Sequence, residues 1–174
     1  FCKEQKILFS RGSLNNVFKR YIDIINKYNY PFFVRVTGDC PLISPSFIDK
    51  QIIALNVHKT DLIWLNHNTP LLVGQGAQSS ASLMKLENKI KTDEDKEHVA
   101  SIYISNNPNE FKIIGMTPPD FYLNKDFRIT VDEPGDYEMM KNLYKELWKN
   151  KPIEIKDAIN WMNLNKSIIE LNKS

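Results

Sequence analysis

The stretch that decides the fold reads FFVRVTGDCPLISPSFID and occupies residues 32–49. Its first five residues, Phe32 to Val36, form a nearly continuous apolar run, which is typical of a central strand in a parallel sheet. A polar turn with the sequence TGDCP follows this run. Ser44 and Pro45 then suit the N-cap and the first position of a helix. This strand, turn and helix predict a domain of the α/β class.

Strand and helix patterns continue to alternate outward from this stretch in both directions. Further strands are predicted at Lys6–Phe9, Asp61–Leu65, Phe111–Met116 and Phe127–Val131, and a polar loop over residues 67–80 leads into a weak strand. Helices are predicted from an N-cap at Ser13 to Tyr28, and at Ser82–Ile90, Asp93–Ile104, Pro134–Asn150 and Ile155–Leu164. This order predicts one domain over residues 1–174, a three-layer α/β fold with helices on both faces of a mostly parallel sheet.

The composition excludes several classes of function. The chain has 174 residues and a formal net charge of only +2, and it has no long run of Lys or Arg, so binding to nucleic acid is not expected. The sequence has no apolar stretch long enough to cross a bilayer and no signal-peptide pattern, which predicts a cytoplasmic protein. Its two cysteines, Cys2 and Cys40, are too few for a disulfide framework and are expected to be thiols.

Two aspartates that follow predicted strands are candidates for metal binding. Asp39 comes directly after the run that ends at Val36, and the neighbouring Gly38 allows the backbone to approach a ligand closely. Asp132 follows the predicted strand that ends at Val131. Because ligands of open α/β sheets bind at the carboxyl ends of strands, the two carboxylates could share one Mg²⁺ ion. The alternative is structural, since Asp39 would suit a turn and Asp132 would suit a helix cap.

Four segments, taken in order, resemble a known family. They are RGSLNNVFKRY, VRVTGDCPLISPSFID, EDKEHVASIYI and RITVDEPGDYEMM. Together they are similar to the cytidylyltransferases of the spore coat polysaccharide biosynthesis protein F type, which are relatives of the CMP-KDO and CMP-sialic acid synthetases. The resemblance implies a Rossmann-like nucleotide-diphospho-sugar transferase fold, CTP as a substrate, Mg²⁺ as the cofactor and a dimer as the assembly.

The resemblance also implies roles for individual residues. Asp39 and Asp132 match the two metal-binding aspartates of the family, and Thr37 and Gly38 lie beside the first of them. Arg11 and Arg20 match positions on the nucleotide side of the site. The acceptor side is matched by His98, as a general base or a hydrogen-bonding group, and by its neighbour Lys96. Phosphate charge would be stabilised by Arg35, Arg20 or Arg128.

Each of these side chains also has a simpler interpretation. Arg35 would pair with a carboxylate at the edge of the sheet, and Arg20 would be a solvated residue of a helix. His98 would be a packing residue on an amphipathic helix.

Two departures from the family pattern keep a second function open. No loop rich in Gly, Ser, Arg and Lys precedes the first strand, so the chain is expected to lack the family's first strand and nucleotide loop. Gln78 and Ser80 stand where the family usually has acidic residues. The first hypothesis is therefore a cytidylyltransferase that transfers CMP from CTP to a sugar or sugar acid in surface polysaccharide biosynthesis. The second hypothesis is an incomplete remnant of that fold that acts as a non-catalytic or dimerising module.

Overall fold

Four strands form one mixed β-sheet in the part of the chain that the structure describes. A computed structural model of the chain describes residues 1–66, 70–72, 75–123 and 127–169. The strands are β1 (Phe32–Val36), β2 (Leu62–Leu65), β3 (Gln75–Ser79) and β4 (Ile113–Met116), and their order in the sheet is β1-β3-β2-β4. β2 and β3 are antiparallel.

Backbone hydrogen bonds set the direction of the other strands. Asp61 N–H donates to Lys112 O over 2.7 Å, and Asn66 N–H donates to Met116 O over 3.0 Å, so β2 and β4 run in parallel. Ser80, just after β3, donates its N–H to Pro31 O, just before β1, over 2.9 Å. This contact makes β1 antiparallel to β3. The carboxyl ends of β1, β2 and β4 therefore lie at the same edge of the sheet.

The described residues include eight helices. They are α1 (Val17–Tyr28), α2 (Pro45–His58), α3 (Ser80–Met84), α4 (Asp93–Glu97), α5 (Ser101–Asn106), α6 (Pro134–Leu147), α7 (Ile155–Leu164) and α8 (Lys166–Ile169). Short 3-10 turns lie at Pro70–Leu72, Pro108–Glu110 and Asp120–Leu123. A side chain caps the start of each of the first two helices. The Asn16 side chain accepts from Lys19 N–H at α1, and Ser44 Oγ accepts from Phe47 N–H at α2.

The chain forms two compact units. The first unit contains residues 1–33, 55–62 and 78–114, and the second contains residues 34–54, 63–77 and 115–174. Each unit has its own apolar cluster. In the first, helix α1 buries Phe18, Ile22 and Ile25 against residues that include Leu83 and Ile104. In the second, buried residues of α6 and α7 pack with others of the same unit, including Leu42, Phe47, Tyr122, Phe127 and Ile129.

Several predicted elements have the expected positions. β1 and α7 have the predicted bounds, β2 and β4 lie within predicted strands, and α2 begins at Pro45 after its Ser44 cap. The α/β class is confirmed, and the sheet is mixed because β3 runs against the other strands. The prediction of a single domain stays a prediction. Part of the predicted loop over residues 67–80 lies outside the described residues.

Other predicted elements were wrong. Residues 6–9 form neither helix nor strand, and Leu8 is 79% exposed, because no strand of the described chain pairs with this short apolar run. Helix α1 begins at Val17 rather than after Ser13, because Asn16 supplies the cap. β1 lies at the end of the strand order rather than in its centre.

The apolar run from Phe127 to Val131 is not a strand either. Phe127 and Ile129 are buried in the second unit's cluster, so the alternating apolar pattern reports packing of side chains rather than pairing of backbones. The predicted helix at Ser82–Ile90 is replaced by the shorter α3, which ends at Met84.

The predicted helix over Asp93–Ile104 is two helices, α4 and α5. Val99 and Ala100 separate them with φ values of 54° and 62°, in the left-handed region that L-residues rarely adopt. Two such residues in succession cannot continue a right-handed helix, so the chain turns between α4 and α5.

Candidate functional site

The turn after β1 exposes one aspartate and buries the cysteine beside it. Cys40 N–H donates to Thr37 O over 3.1 Å, which closes the turn, and Thr37 Oγ1 lies 3.1 Å from Cys40 Sγ. Cys40 is only 6% exposed, whereas Gly38 and Asp39 face solvent. Among the described residues, no heavy atom beyond its chain neighbours lies within 4 Å of the position of a Cβ at Gly38. The turn thus presents the Asp39 carboxylate at the carboxyl end of β1.

The surroundings of Asp39 favour its ionised form. A hydrogen bond from the Thr37 side chain is the main cause that lowers the pKa of Asp39 below its ordinary value. Partial burial opposes this effect, and the backbone N–H of Asp39, the Cys40 side chain and the positive charge of Arg35 add to it. Arg35, half-buried in β1, therefore acts electrostatically on Asp39.

Asp132 follows a residue that is bonded to the Asp39 backbone. Val131 N–H donates to the backbone carbonyl of Asp39 over 2.8 Å. The next residue, Asp132, is exposed, and its Oδ2 accepts from Thr130 Oγ1 over 2.9 Å. The backbone at Asp132 is held by a second contact, because its N–H donates to the buried Asp136 carboxylate over 2.9 Å. Two exposed aspartates are thus carried by two neighbouring stretches of backbone.

The negative charges of both carboxylates act on the pKa of the Cys40 thiol. Burial is the main cause that raises the pKa of Cys40, and the negative charges of Asp39 and Asp132 raise it further, while hydrogen bonding to Thr37 opposes the rise. A thiol with a raised pKa stays protonated and is a poor nucleophile. Cys40 is not disulfide-bonded. Its environment indicates a packing role beneath the turn.

Asp136 is fully buried and organises the start of α6. Its carboxylate accepts from the backbone N–H groups of Asp132 and Glu133, both over 2.9 Å, and from Arg128 Nη2 over 2.6 Å. Burial alone would raise the pKa of Asp136, but these three donors outweigh it and lower the pKa below its ordinary value. Because one end of its guanidinium binds Asp136, Arg128 has fewer donors for the phosphate role that was predicted for it.

The central role of Asp136 was not predicted from the sequence. The sequence contains a pattern that could have predicted this role. An acidic residue three positions after an N-cap is typical of a capping box, which Glu133 and Asp136 form.

The other predicted nucleotide-side residues lie in the first unit. Arg11 is exposed, and Arg20 is half-buried near the start of α1. The Arg20 side chain lies against the backbone of Gly12, where a Cβ would come within 2.7 Å of Arg20 Cγ. Glycine at position 12 is therefore needed for this packing. Arg20 Nε is buried and has no hydrogen-bond partner among the described residues, which is an unusual cost for a charged group.

His98 and Lys96 also lie in the first unit. His98 is half-buried and ends α4, where its N–H donates to Glu94 O over 2.9 Å. Lys96 Nζ binds Asp93 Oδ1 over 2.8 Å. The left-handed residues Val99 and Ala100 follow His98 directly and are buried.

Gln78 is part of a polar network beside the start of α3, and Ser80, the first residue of α3, is buried. The Gln78 side chain donates to Ser82 Oγ over 2.9 Å, and Ser82 Oγ donates to Ser79 O over 2.8 Å. Gln78, a neutral residue where the resemblance implies an acidic one, therefore supports the start of α3 through Ser82.

The chemistry of Asp39 and Asp132 fits a magnesium ion. Both offer hard carboxylate oxygens at a solvent-facing edge, and Mg²⁺ is usually held by one or two carboxylates while water and phosphate fill its other positions. Among residues 1–66, 70–72, 75–123 and 127–169, no group of three or more His, Cys, Asp or Glu side chains could hold a metal ion. The arrangement thus suits a metal that is completed by a phosphate ligand rather than a metal enclosed by protein.

Helices within the described ranges are too short or too polar to cross a lipid bilayer.

Comparison with known proteins identifies the family. The family model for cytidylyltransferases matches residues 1–171. The chain therefore belongs to the cytidylyltransferase family, as the four quoted segments predicted.

Individual relatives agree with this assignment. The spore coat polysaccharide biosynthesis protein SpsF of Bacillus subtilis is 28% identical over 166 residues, which cover 94% of this chain and 68% of that protein. An uncharacterized protein of Methanocaldococcus jannaschii is 30% identical over 176 residues, which cover 99% of this chain and 70% of that protein. A solved cytidylyltransferase from Leptospira borgpetersenii serovar Hardjo-bovis superposes with a TM-score of 0.82 at 25% identity, over 97% of this chain and 71% of that one. The solved structure thus shares the fold of this chain, and the family model shows its family.

Proposed function

We propose that the protein transfers CMP from CTP to a sugar or sugar acid, with Asp39 and Asp132 as ligands of a catalytic Mg²⁺. The single observation that carries this proposal is the hydrogen bond from Val131 N–H to Asp39 O, over 2.8 Å. This bond joins the backbone of one exposed aspartate to the residue just before the other. Both aspartates follow apolar segments at the edge of a sheet where ligands of α/β proteins bind. Membership of the cytidylyltransferase family supplies the nucleotide class.

In the proposed reaction, a hydroxyl oxygen of the acceptor attacks the α-phosphorus of CTP. A new phosphorus–oxygen bond forms, the bond between the α-phosphorus and the bridging oxygen breaks, and pyrophosphate leaves. The metal would supply charge neutralisation at the phosphates. Asp39 is suited to this role because its pKa is lowered, chiefly by hydrogen bonding from Thr37, so it is ionised at neutral pH. Thr37 and Gly38 are proposed to let the phosphates approach the turn closely.

Positively charged residues and one histidine complete the proposal. Arg35, whose charge already acts on Asp39, would stabilise charge on the leaving pyrophosphate. Arg11 and Arg20 are proposed on the nucleotide side, as the family resemblance implies. His98 is proposed to accept the proton of the attacking hydroxyl as a general base.

The wider setting is also proposed. The printed name of the Bacillus relative concerns spore coat polysaccharide, which supports a role in surface polysaccharide biosynthesis. We propose a cytoplasmic location and a homodimer on the basis of the family resemblance.

Calorimetry with CTP and Mg²⁺ tests the metal-binding aspartates. We expect Asp39→Asn and Asp132→Asn each to weaken binding of the magnesium–CTP complex at least about tenfold, because a neutral amide is a poor ligand for a hard cation. The control is Asp49→Asn, which changes an exposed aspartate of α2 in the same unit and should leave the affinity within about twofold.

Thermal unfolding of the same variants separates binding from folding. If Asp39→Asn lowers stability strongly, Asp39 is structural and not a metal ligand. Absence of any heat from the unchanged chain with CTP and Mg²⁺ would contradict the proposal and favour a non-catalytic module. Where binding is seen, pyrophosphate release with a panel of sugars and with UTP in place of CTP would define the substrates.

A further inference from the structure

Two polar residues follow neighbouring parallel strands at the edge that carries Asp39. Asn66 is the first residue after β2, and Thr117 is the first residue after β4. Both are exposed, and both belong to the same compact unit as Asp39 and Asp132. Because β1, β2 and β4 point in the same direction, their carboxyl ends open onto a common edge. The fold therefore places Asn66 and Thr117 where ligands of α/β sheets bind.

The Asn66 and Thr117 side chains form a defined pair. Asn66 Nδ2 donates to Thr117 Oγ1 over 2.9 Å, and Asn66 N–H donates to Met116 O over 3.0 Å. The amide group of Asn66 also lies directly on the backbone of Gly115, where a Cβ would come within 3.0 Å of Asn66 Cγ and would overlap Oδ1. Only glycine at position 115 leaves room for this placement. The backbone bond of Asn66, the Thr117 hydroxyl and the space at Gly115 together hold the exposed Asn66 amide in this orientation.

The chemistry of the pair favours a sugar over a phosphate. An amide offers two donors and an acceptor oxygen, and a hydroxyl offers one donor and two acceptor positions, so a single shared bond leaves hydrogen-bonding capacity on both groups. Neither group carries charge, whereas phosphate is usually bound by cations, metals or helix N-termini. A neutral set of adjacent donors and acceptors matches the hydroxyl groups of a sugar.

The spacing of the strands agrees with this assignment. β3 lies between β1 and β2, so the ends of β1 and β2 are about 10 Å apart at the usual strand spacing, and the ends of β1 and β4 are about 14 Å apart. A group held at Asn66 would therefore lie beside a phosphate held at Asp39 rather than on top of it.

We infer that Asn66 and Thr117, supported by Gly115, form a subsite that binds hydroxyl groups of the sugar acceptor. This inference rests on the proposed function, since it assigns the acceptor part of the same site.

Nuclear magnetic resonance on the full ¹⁵N-labelled chain tests the subsite directly. The probes are free monosaccharides, namely glucose, N-acetylglucosamine, N-acetylneuraminate and KDO. The side-chain amide signal of Asn66 is assigned by its disappearance in Asn66→Asp. We expect at least one of these sugars to shift this signal in a saturable manner.

Variants at Thr117 sharpen the test. Thr117→Val removes the hydroxyl but keeps the shape, and it should weaken binding of the active sugar at least about tenfold. Thr117→Ser keeps the hydroxyl and should bind within about threefold of the unchanged chain. Asn56→Ala, at an exposed asparagine of α2, controls for nonspecific effects, and the remaining amide signals report whether each variant is folded.

The outcomes distinguish this inference from the proposed function. If no sugar in the panel shifts the Asn66 signal, or if Thr117→Val binds as well as Thr117→Ser, the subsite is wrong, whatever the result with CTP. A sugar response without any binding of magnesium–CTP supports the subsite and contradicts the nucleotide part of the proposed function. Responses to both ligands support both.

Discussion

Asp95 in the first unit and Asp136 in the second are both buried aspartates that hold the start of a helix. Asp95 Oδ1 accepts from Tyr103 N–H of α5 over 2.7 Å, and its Oδ2 accepts from Thr92 Oγ1 over 2.7 Å. Asp136 accepts from two backbone N–H groups at the start of α6 and from the guanidinium of Arg128. The donors of Asp95 are thus neutral, whereas Asp136 also has a positively charged donor.

Burial separates the structural acids from the candidate ligands. Both buried aspartates lie in segments by which the family was identified, EDKEHVASIYI and RITVDEPGDYEMM. Neither Asp95 nor Asp136 faces solvent, so neither can reach a nucleotide without a local rearrangement. The exposed Asp39 and Asp132 remain available to bind a ligand, and Asp136 fixes the backbone of Asp132.

The largest effect is expected from Asp136→Asn. The variant loses the negative charge opposite Arg128, and its amide nitrogen cannot accept from a backbone N–H, so the free energy of unfolding should fall by about 3 kcal/mol. Chemical denaturation measures this change. Glu138→Gln is the matched control on α6, because its pair with Lys141 is exposed and should contribute less than about 1 kcal/mol. A loss for Asp136→Asn no larger than the control would contradict the structural role.

Acid should remove the contribution of Asp136 in the unchanged chain. The pKa of Asp136 is lowered on folding, because its hydrogen bonds outweigh the opposing effect of burial. The stabilisation is therefore complete above the unfolded value of about 3.9 and is lost as the pH falls through the lower folded value. Denaturation curves of the unchanged chain and of Asp136→Asn should converge as the pH falls below about 4. Curves that stay equally far apart would show that ionisation of Asp136 is not the cause.

A smaller effect is expected from Asp95→Asn. The new amide oxygen can still accept from Tyr103 N–H, and the amide nitrogen can donate to the Thr92 hydroxyl, which already accepts from the backbone N–H of residue 95. The loss should be about 1 kcal/mol, clearly below that of Asp136→Asn. Denaturation of both variants in one buffer measures the ranking. Equal losses would mean that the charged donor does not distinguish the two sites.

The smallest effect on stability is expected from Asp39→Asn. Asp39 is exposed, and the turn is closed by its backbone and by Cys40 rather than by the carboxylate alone, so the free energy of unfolding should change by less than about 1 kcal/mol. The same variant should show the large loss of magnesium–CTP affinity. A variant that is destabilised as much as Asp136→Asn would place Asp39 with the structural acids.

Local signals predicted the elements that depend on neighbouring residues. The apolar run of β1, the Ser44–Pro45 start of α2 and the amphipathic pattern of α7 are each complete within a few residues, and each was predicted at its observed place. Predictions failed where contacts with residues far away in the sequence, or unusual contacts, determine the secondary structure. Residues 6–9 have β-type side chains but pair with no strand of the described chain, and the 127–131 run packs its side chains without forming a strand.

The break between α4 and α5 could not be predicted from the residues that form it. Val99 and Ala100 favour ordinary backbone angles, and Val is especially disfavoured at positive φ. The bond from Ala100 N–H to Asp95 O, over 2.7 Å, and the bond from Tyr103 N–H to the Asp95 side chain hold the turn. These contacts outweigh the local preference.

The sequence by itself determined the family, the α/β class and the two exposed aspartates as candidates, because ordered motifs and strand-end carboxylates are visible in one dimension. Only the tertiary structure decided which residues become neighbours across the chain. The Val131 bond to Asp39 and the Asn66 bond to Thr117 join residues that are far apart in sequence. Such pairs depend on the order and direction of the strands, and that order is set by burial of side chains from the whole chain rather than by any local pattern.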